Sequence, residues 1–176
     1  MQAVYRVRQG LSNLTARPRP EDEALAARYL SPAELRLFRR LEPADRKHSV
    51  SVLGSLDRMG VADSCILKAA LLHDVGKSRR RISVFHRTLA VILRALFGEI
   101  PSFFTWVGRE AFWMPFYVLE NHARLSAAML VKAGCEERVW RLAELHHVDP
   151  ELVETAALDD WTREALRVLR KADSEN

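Results

Sequence analysis

Apolar residues recur three and four positions apart along most of the chain, and no segment alternates convincingly between apolar and polar residues as a strand would. The stretch after Ser31 shows the pattern, with an apolar stripe made of Leu35, Leu37, Phe38 and Leu41. Ser31 precedes Pro32 and stands three residues before Glu34, which is the signature of a capped helix start. The spacing therefore predicts an all-α fold of about seven to nine helices.

Turn residues and apolar spacing place the other helix boundaries. Pro43 opens a helix that Gly60 ends, and the next helix begins at Asp63 or Ser64 and reaches Asp74. The remaining predicted helices are a short one near Val4 to Leu14, 21–30, Ile82 to Phe97, one headed by Asn121 and His122 and ended by Gly134, Glu136 to His147, and a last one that Asp159 or Asp160 caps and Asp173 ends.

The length of 176 residues predicts one domain with a sizeable core. Residues 1–20 are polar and basic and are interpreted as an N-terminal arm, which leaves 21–176 as a single helical domain. Within that domain, 82–119 is interpreted as an aromatic-rich helical insert. The preferred interpretation is a helical hairpin that packs on the core. A lid, a dimer contact or a peripheral membrane contact through 100–119 are the alternatives, because clustered exposed aromatics mark contact surfaces.

Composition and charge narrow the functional classes. The chain is 48% hydrophobic and 28% charged, which is ordinary for a soluble globular protein. A net charge of +4 and a pI near 9.4 suit a polyanionic substrate or an acidic surface but give no pattern of specific nucleic-acid recognition. Arg-rich, solvated helix faces explain the same charge equally well. Cys65 and Cys135 lack metal-site spacing and are expected to be buried reduced thiols. With no signal core and no long apolar run, we expect a cytoplasmic protein without a transmembrane span.

A His–Asp pair follows the most apolar helical stretch of the chain. Residues 69–72 lead directly into His73 and Asp74, and Gly76 and Lys77 come next. Burying such a polar pair without a partner would cost on the order of several kcal/mol. The dipeptide alone is weak evidence for a functional site, since a hydrogen bond inside a helical core would also satisfy it.

Five of the six histidines follow an ordered pattern with two aspartates, and only His86 falls outside it. The positions are His48, His73, Asp74, His122, His146, His147 and Asp173. On these residues, 45–174 resembles the HD-domain phosphohydrolase superfamily, in the form of a small stand-alone bacterial-type protein. The resemblance implies a compact helical bundle in which His48, His73, Asp74 and Asp173 bind one divalent metal, with Asp159 or Asp160 as alternatives to Asp173. His122, His146 and His147 match the positions that hold a second metal in binuclear members.

The resemblance further implies metal-dependent hydrolysis of a phosphate ester or anhydride in a nucleotide or dinucleotide. Imidazole and carboxylate ligands suit Fe, Mn, Zn or Co, with one or two ions per chain. Asp74 is the expected bridge, because a carboxylate offers two oxygens and an imidazole one free lone pair. Asp74 and Lys77 are assigned catalytic roles, and Lys77, Arg79, Arg81 and Arg87 are predicted to bind substrate phosphate. The basic run could equally be a solvated loop.

Two departures from family patterns narrow the subfamily. Cyclic-dinucleotide phosphodiesterases follow the double histidine with an acidic residue and a Gly-Tyr-Pro turn, whereas Val148-Asp149-Pro150 stands here. Ala44 occupies the place of the glutamate that third-metal sites use. Cyclic di-GMP and a third metal are therefore disfavoured. A non-enzymatic HD-like module for ligand sensing or protein interaction is the competing class, and the complete ligand set favours an enzyme.

Overall fold

Nine α-helices and one 3₁₀ turn make up the part of the chain that the computed structural model describes, which is residues 20–98, 100, 101, 112–155 and 157–176. The helices are α1 (Pro20–Ala27), α2 (Pro32–Arg40), α3 (Pro43–Arg58), α4 (Ser64–Leu72), α5 (Val84–Phe97), α6 (Met114–Lys132), α7 (Glu137–Leu145), α8 (Pro150–Thr155) and α9 (Asp160–Ser174). The 3₁₀ turn is Val75–Arg79. No strand occurs in these residues, which confirms the all-α prediction.

Local signals in the sequence fix several helix ends. The Ser31 hydroxyl accepts a hydrogen bond from the Glu34 amide, and the Glu34 carboxylate accepts one from the Ser31 amide, so the predicted capping box is present. The C-terminal end of α5 is closed by Gly98, whose φ of 80° is strained for residues with a side chain.

Two boundary predictions were wrong, and one short helix was missed. Helix α6 begins at Met114, so His122 lies in its middle instead of at its head. Pro115, in the first turn, is the start signal that the aromatic run obscured. Helix α4 ends at Leu72, and Asp74 has φ −100° and ψ 3° in a tight turn. The short helix α8 was not predicted. The predicted helix near residues 4–14 and the aromatics at 103, 104 and 106 lie outside the described residues.

Helix α4 is the centre of the main hydrophobic core. Seven of its nine residues are buried, and helices α2, α3, α7 and α9 all pack against it. A helix that is apolar on every side is stable only when other helices surround it. The His–Asp pair therefore lies at the C-terminal end of the helix around which the core is built, and both residues are buried.

A second hydrophobic cluster joins α5 to the first half of α6, with Phe116 and Val118 at its centre. The opposite side of α5 is apolar but exposed, and its exposed residues include Val84, Phe85, Val91, Ile92 and Leu96. A contact surface in the insert stays a prediction. None of the described helices is long and apolar enough to cross a membrane.

The 3₁₀ turn packs directly on α6 through Gly76. Its amide donates a hydrogen bond of 2.8 Å to the Ser126 hydroxyl. A Cβ atom at Gly76 would lie 2.2 Å from the His122 carbonyl oxygen and 2.7 Å from the Ser126 amide nitrogen. Only glycine allows the two backbones to come this close, and the contact sets the distance between the His–Asp pair and His122.

Replacing Gly76 with Ala should lower the free energy of unfolding by about 1–3 kcal/mol or more, because the backbone of α6 must move to admit the methyl group. Gly54→Ala is the matched control: its Cβ would meet nothing closer than Arg58 Nη1 at 3.7 Å, inside α3. That change should stabilise the fold by roughly 0.5–1 kcal/mol. Urea denaturation measures both, and equal effects of the two substitutions would contradict the close approach.

Candidate metal centre

Five elements bring the seven predicted ligands to one place. His48 lies in the second turn of α3, and Asp173 lies in the last turn of α9. His73 caps the C-terminal end of α4, and Asp74 follows it in the turn. The others come from the middle of α6 and the end of α7, and they are His122, His146 and His147.

One half of the cluster lies between α3, α4 and α9. His48 Nε2 is 2.8 Å from Asp173 Oδ1, and His73 Nε2 is 3.7 Å from the same oxygen. His73 Nε2 is also 3.5 Å from Asp74 Oδ2. Ligand atoms of His48, His73 and Asp74 lie within 4.8 Å of one another, close enough to share one ion.

The other half lies between α6 and α7. His122 Nε2 is 3.0 Å from His147 Nε2 and 3.3 Å from Asp74 Oδ1. His146 Nε2 is 4.0 Å from the same Asp74 oxygen. Asp74 therefore faces one half with Oδ2 and the other half with Oδ1, which is the arrangement that a bridging carboxylate requires.

Three of the histidines are held in one tautomer by the backbone. Nδ1 of His73, His122 and His146 lies 3.0, 2.8 and 2.7 Å from the carbonyl oxygens of Ala70, Leu119 and Ala143 respectively. A carbonyl oxygen only accepts, so each Nδ1 carries the proton and each Nε2 keeps a free lone pair. All three lone pairs point into the cluster, and such orientation of histidine through its other nitrogen is usual at metal sites.

Burial sets the charge state of the ligands. It lowers the pKa of His122 to about 3 and also lowers the pKa of His146 and His147, so all three are neutral near pH 7. Burial raises the pKa of Asp74, but the Lys77 ammonium and the surrounding histidines together outweigh burial and hold the pKa well below its ordinary value. Burial also raises the pKa of Asp173, but the hydrogen bond with His48 and the nearby His73 together bring it below its ordinary value. Neutral imidazoles and ionised carboxylates are the forms that bind metals.

Two buried acceptor atoms of the cluster make no hydrogen bond to any described residue. Among the described residues, Asp74 Oδ1 and His146 Nε2 have no hydrogen-bond partner although solvent does not reach them. Leaving a buried acceptor unsatisfied costs about 1–3 kcal/mol. Both atoms are acceptors, so they cannot satisfy each other. A divalent cation between them would satisfy both, and the nitrogen and oxygen donors fit Fe, Mn, Zn or Co.

A comparison with protein-family models agrees with the metal-site geometry. The model of the HD domain family matches residues 46–174. The chain belongs to the HD domain family. HD domains are in general metal-dependent phosphohydrolases that bind divalent metals, and the His and Asp groups of this chain could hold one. Comparisons with curated proteins and with solved structures produced no match.

Lys77 contacts the HD pair itself. Its Nζ lies 2.5 Å from Asp74 Oδ2, and its side chain is 18% exposed. Asp74 precedes Lys77 by three residues, a spacing at which side chains meet on a helical turn, and this pairing was not predicted. Burial lowers the pKa of Lys77, but the Asp74 carboxylate raises it above its ordinary value, so the ammonium stays charged.

The predicted arginines differ in position. Arg87 donates two hydrogen bonds to Asp45, at 3.0 and 2.7 Å, and both side chains are largely buried. Arg79 and Arg81 are exposed, and neither makes a hydrogen bond or ion pair with the HD residues in the described structure. Asp45 was not predicted as a site residue, although it precedes His48 by three residues and so lies on the same side of α3.

The structure separates the three aspartates considered for the last ligand. Asp159 caps α9 by accepting hydrogen bonds from the amide and hydroxyl of Thr162. Asp160 is exposed and pairs with Arg163. Asp173 alone of the three lies beside His48 and His73, so it is the candidate ligand.

Asp173→Ala should reduce the metal-induced rise in melting temperature, because a ligand that binds only the folded state stabilises it in proportion to its affinity. Asp159→Ala is the control and should cost about 1 kcal/mol through loss of the helix cap, equally with and without metal. Thermal melts of metal-free and Mn²⁺-loaded protein measure both. A metal-induced rise that survives in Asp173→Ala and disappears in Asp159→Ala would move the ligand to the start of α9.

Proposed function

We propose that this HD protein hydrolyses a phosphate ester or anhydride bond of a nucleotide or dinucleotide at a binuclear metal centre. The observation that carries the proposal is the two-sided Asp74 carboxylate, with histidine Nε2 atoms facing each of its oxygens. A mononuclear HD site would need only His48, His73, Asp74 and Asp173. The buried imidazoles of His122 and His146 and the exposed imidazole of His147 would then have no role in the site.

The proposed division of ligands follows the geometry. His48, His73 and Asp173 would hold one ion with Asp74 Oδ2, and His122, His146 and His147 would hold the other with Asp74 Oδ1. His147, the more exposed member of the doublet, could instead lie outside the ligand set and orient its neighbour His146, whose ring it contacts. When bound, divalent metals supply Lewis acidity, which activates water near neutral pH and polarises a phosphoryl oxygen.

Lys77 is proposed to bind the substrate phosphate. An ammonium group has three donors, and the contact with Asp74 uses one of them. The others are free to meet phosphoryl oxygens beside the metals while the same contact keeps the carboxylate oriented. A cation fixed there before the substrate arrives stabilises the charge that develops as the bond to phosphorus breaks.

The arginines would act further from the reacting phosphorus. Asp45 holds the Arg87 guanidinium with two parallel hydrogen bonds, which leaves its other N–H groups for a second phosphoryl group. Arg79 and Arg81 are proposed to attract a polyanionic substrate from solution, an effect that acts over distance and weakens with salt. Together with Lys77, these arginines would suit a nucleotide with more than one phosphate.

The test is hydrolysis of a substrate panel by protein that has been stripped of metal and reconstituted anaerobically with Mn²⁺ or Fe²⁺. The panel contains nucleoside monophosphates, diphosphates and triphosphates, cyclic nucleotides, dinucleoside polyphosphates and a simple aryl phosphate. We expect metal-dependent turnover of at least one nucleotide. His122→Ala should lower that turnover about 10²-fold or more.

His86→Ala is the histidine control, because His86, on α5, contacts the Ser83 hydroxyl and the Phe112 carbonyl and lies outside the proposed ligands. Its turnover should match that of the wild type. Nucleotide binding without turnover under any metal would instead support a sensing module. Full turnover without metal would contradict the proposal.

Lys77→Ala should lower turnover by about 10²–10³-fold while bound metal stays constant, since Lys77 is proposed to act on substrate and not on metal. Lys132→Ala, at the exposed end of α6, is the lysine control and should leave both quantities unchanged. Metal analysis alongside steady-state kinetics makes the comparison. Loss of metal in Lys77→Ala would show a structural role in holding Asp74, and unchanged turnover would remove Lys77 from the site.

A further inference from the structure

The turn that carries His146 and His147 is held by a side chain from another helix. Arg170, on α9, donates a hydrogen bond of 2.9 Å from Nε to the His146 carbonyl oxygen. Its Nη2 donates to the carbonyl oxygens of Leu145 and Val148, at 2.6 and 2.5 Å. One guanidinium thus binds three carbonyls that lie on both sides of His147.

The Leu145 and His146 carbonyls stand at the C-terminal end of α7, where the last carbonyls lack intrahelical donors, and Val148 lies just beyond that end. The Leu145 carbonyl also accepts a hydrogen bond of 3.0 Å from the Val148 amide. The end of a helix also carries a partial negative charge, which favours a cation there. Burial lowers the pKa of Arg170, yet a guanidinium remains charged at any ordinary pH. Its rigid planar fork is suited to fixing three acceptors relative to one another, which a flexible ammonium is not.

The position of Arg170 in α9 connects the two halves of the candidate centre. Asp173 follows Arg170 by three residues, so the two lie on the same side of the helix. Asp173 contacts His48 and His73, whereas Arg170 holds the backbone on either side of His147. The same helix therefore reaches the first half through a carboxylate and the second half through a guanidinium.

We propose that Arg170 is a positioning residue for the second metal: it closes the end of α7 and thereby fixes the His146 and His147 imidazoles in their binding orientation. This inference rests on the proposed binuclear site. Arg170 itself contacts neither metal nor substrate. Without Arg170, the three carbonyls would lose the guanidinium as donor, and the two imidazoles would lose their common orientation. His48, His73 and Asp173 would keep theirs.

The experiment titrates metal-free protein with Mn²⁺ and measures bound metal after equilibrium dialysis. Wild type should bind two equivalents. Arg170→Met should bind the first equivalent with unchanged affinity and the second about 10–100-fold more weakly, the scale of losses when a partner that orients a ligand is removed. Arg167→Met is the control, because that arginine lies one turn earlier on α9 with a side chain 62% exposed. It should bind two equivalents as the wild type does.

Arg170→Lys keeps the charge but not the planar fork, and it provides the test should Arg170→Met not fold. It should also weaken the second equivalent selectively. Two equivalents of wild-type affinity in either folded Arg170 variant would overturn the inference. Equal weakening of both equivalents would also overturn it, since that result indicates general loss of stability. A wild type that binds only one equivalent would instead show that the binuclear proposal has failed, and the inference with it.

Discussion

The buried carboxylate of Asp74 is the constraint on which the other features of the site depend. A lone anion at this depth would be strongly unfavourable, and neutral imidazoles offer it lone pairs instead of protons. Lys77 neutralises one oxygen, and Oδ1 has no hydrogen-bond partner in the described structure. The surrounding histidines cannot supply a proton there, because their Nδ1 protons are already donated to backbone carbonyls. Divalent cations would resolve this imbalance.

The fold holds the carboxylate in place through backbone contacts. Helix α4 is fixed by the helices around it, so the direction in which the chain leaves the core after Leu72 is set by packing. Gly76 then brings the turn against α6 with no side chain between the backbones. Residues from α3, α6, α7 and α9 reach the same point because those helices surround α4 or pack on the turn. Stability and site geometry are therefore coupled, and disturbing the contact at Gly76 would displace the ligands as well.

Much of the fold followed from the sequence because helix ends carry local signals. Ser31, Pro43, Gly98 and Asp159 act within a few residues of their position, and each stands at the predicted boundary. The order of histidines and aspartates also indicated which residues would meet. The start of α6 was missed because Pro115 lies in an aromatic run whose apolar residues gave no clear break in periodicity.

Contacts between distant elements could not be predicted in the same way. Arg87 pairs with Asp45, and Arg170 binds the carbonyls at the end of α7. Both contacts depend on how the helices pack, so they leave no periodic signal in the sequence. The sequence therefore predicted the candidate ligands better than the residues that orient them.

We propose that two metals lie on opposite sides of Asp74, and locating the metals would show this directly. Anomalous X-ray diffraction from crystals of the Mn²⁺-loaded protein would locate them. We expect two anomalous peaks about 3.5–4 Å apart, one bound by His48, His73 and Asp173 and the other by His122, His146 and His147. A single peak, or a second peak away from the histidines of α6 and α7, would contradict it.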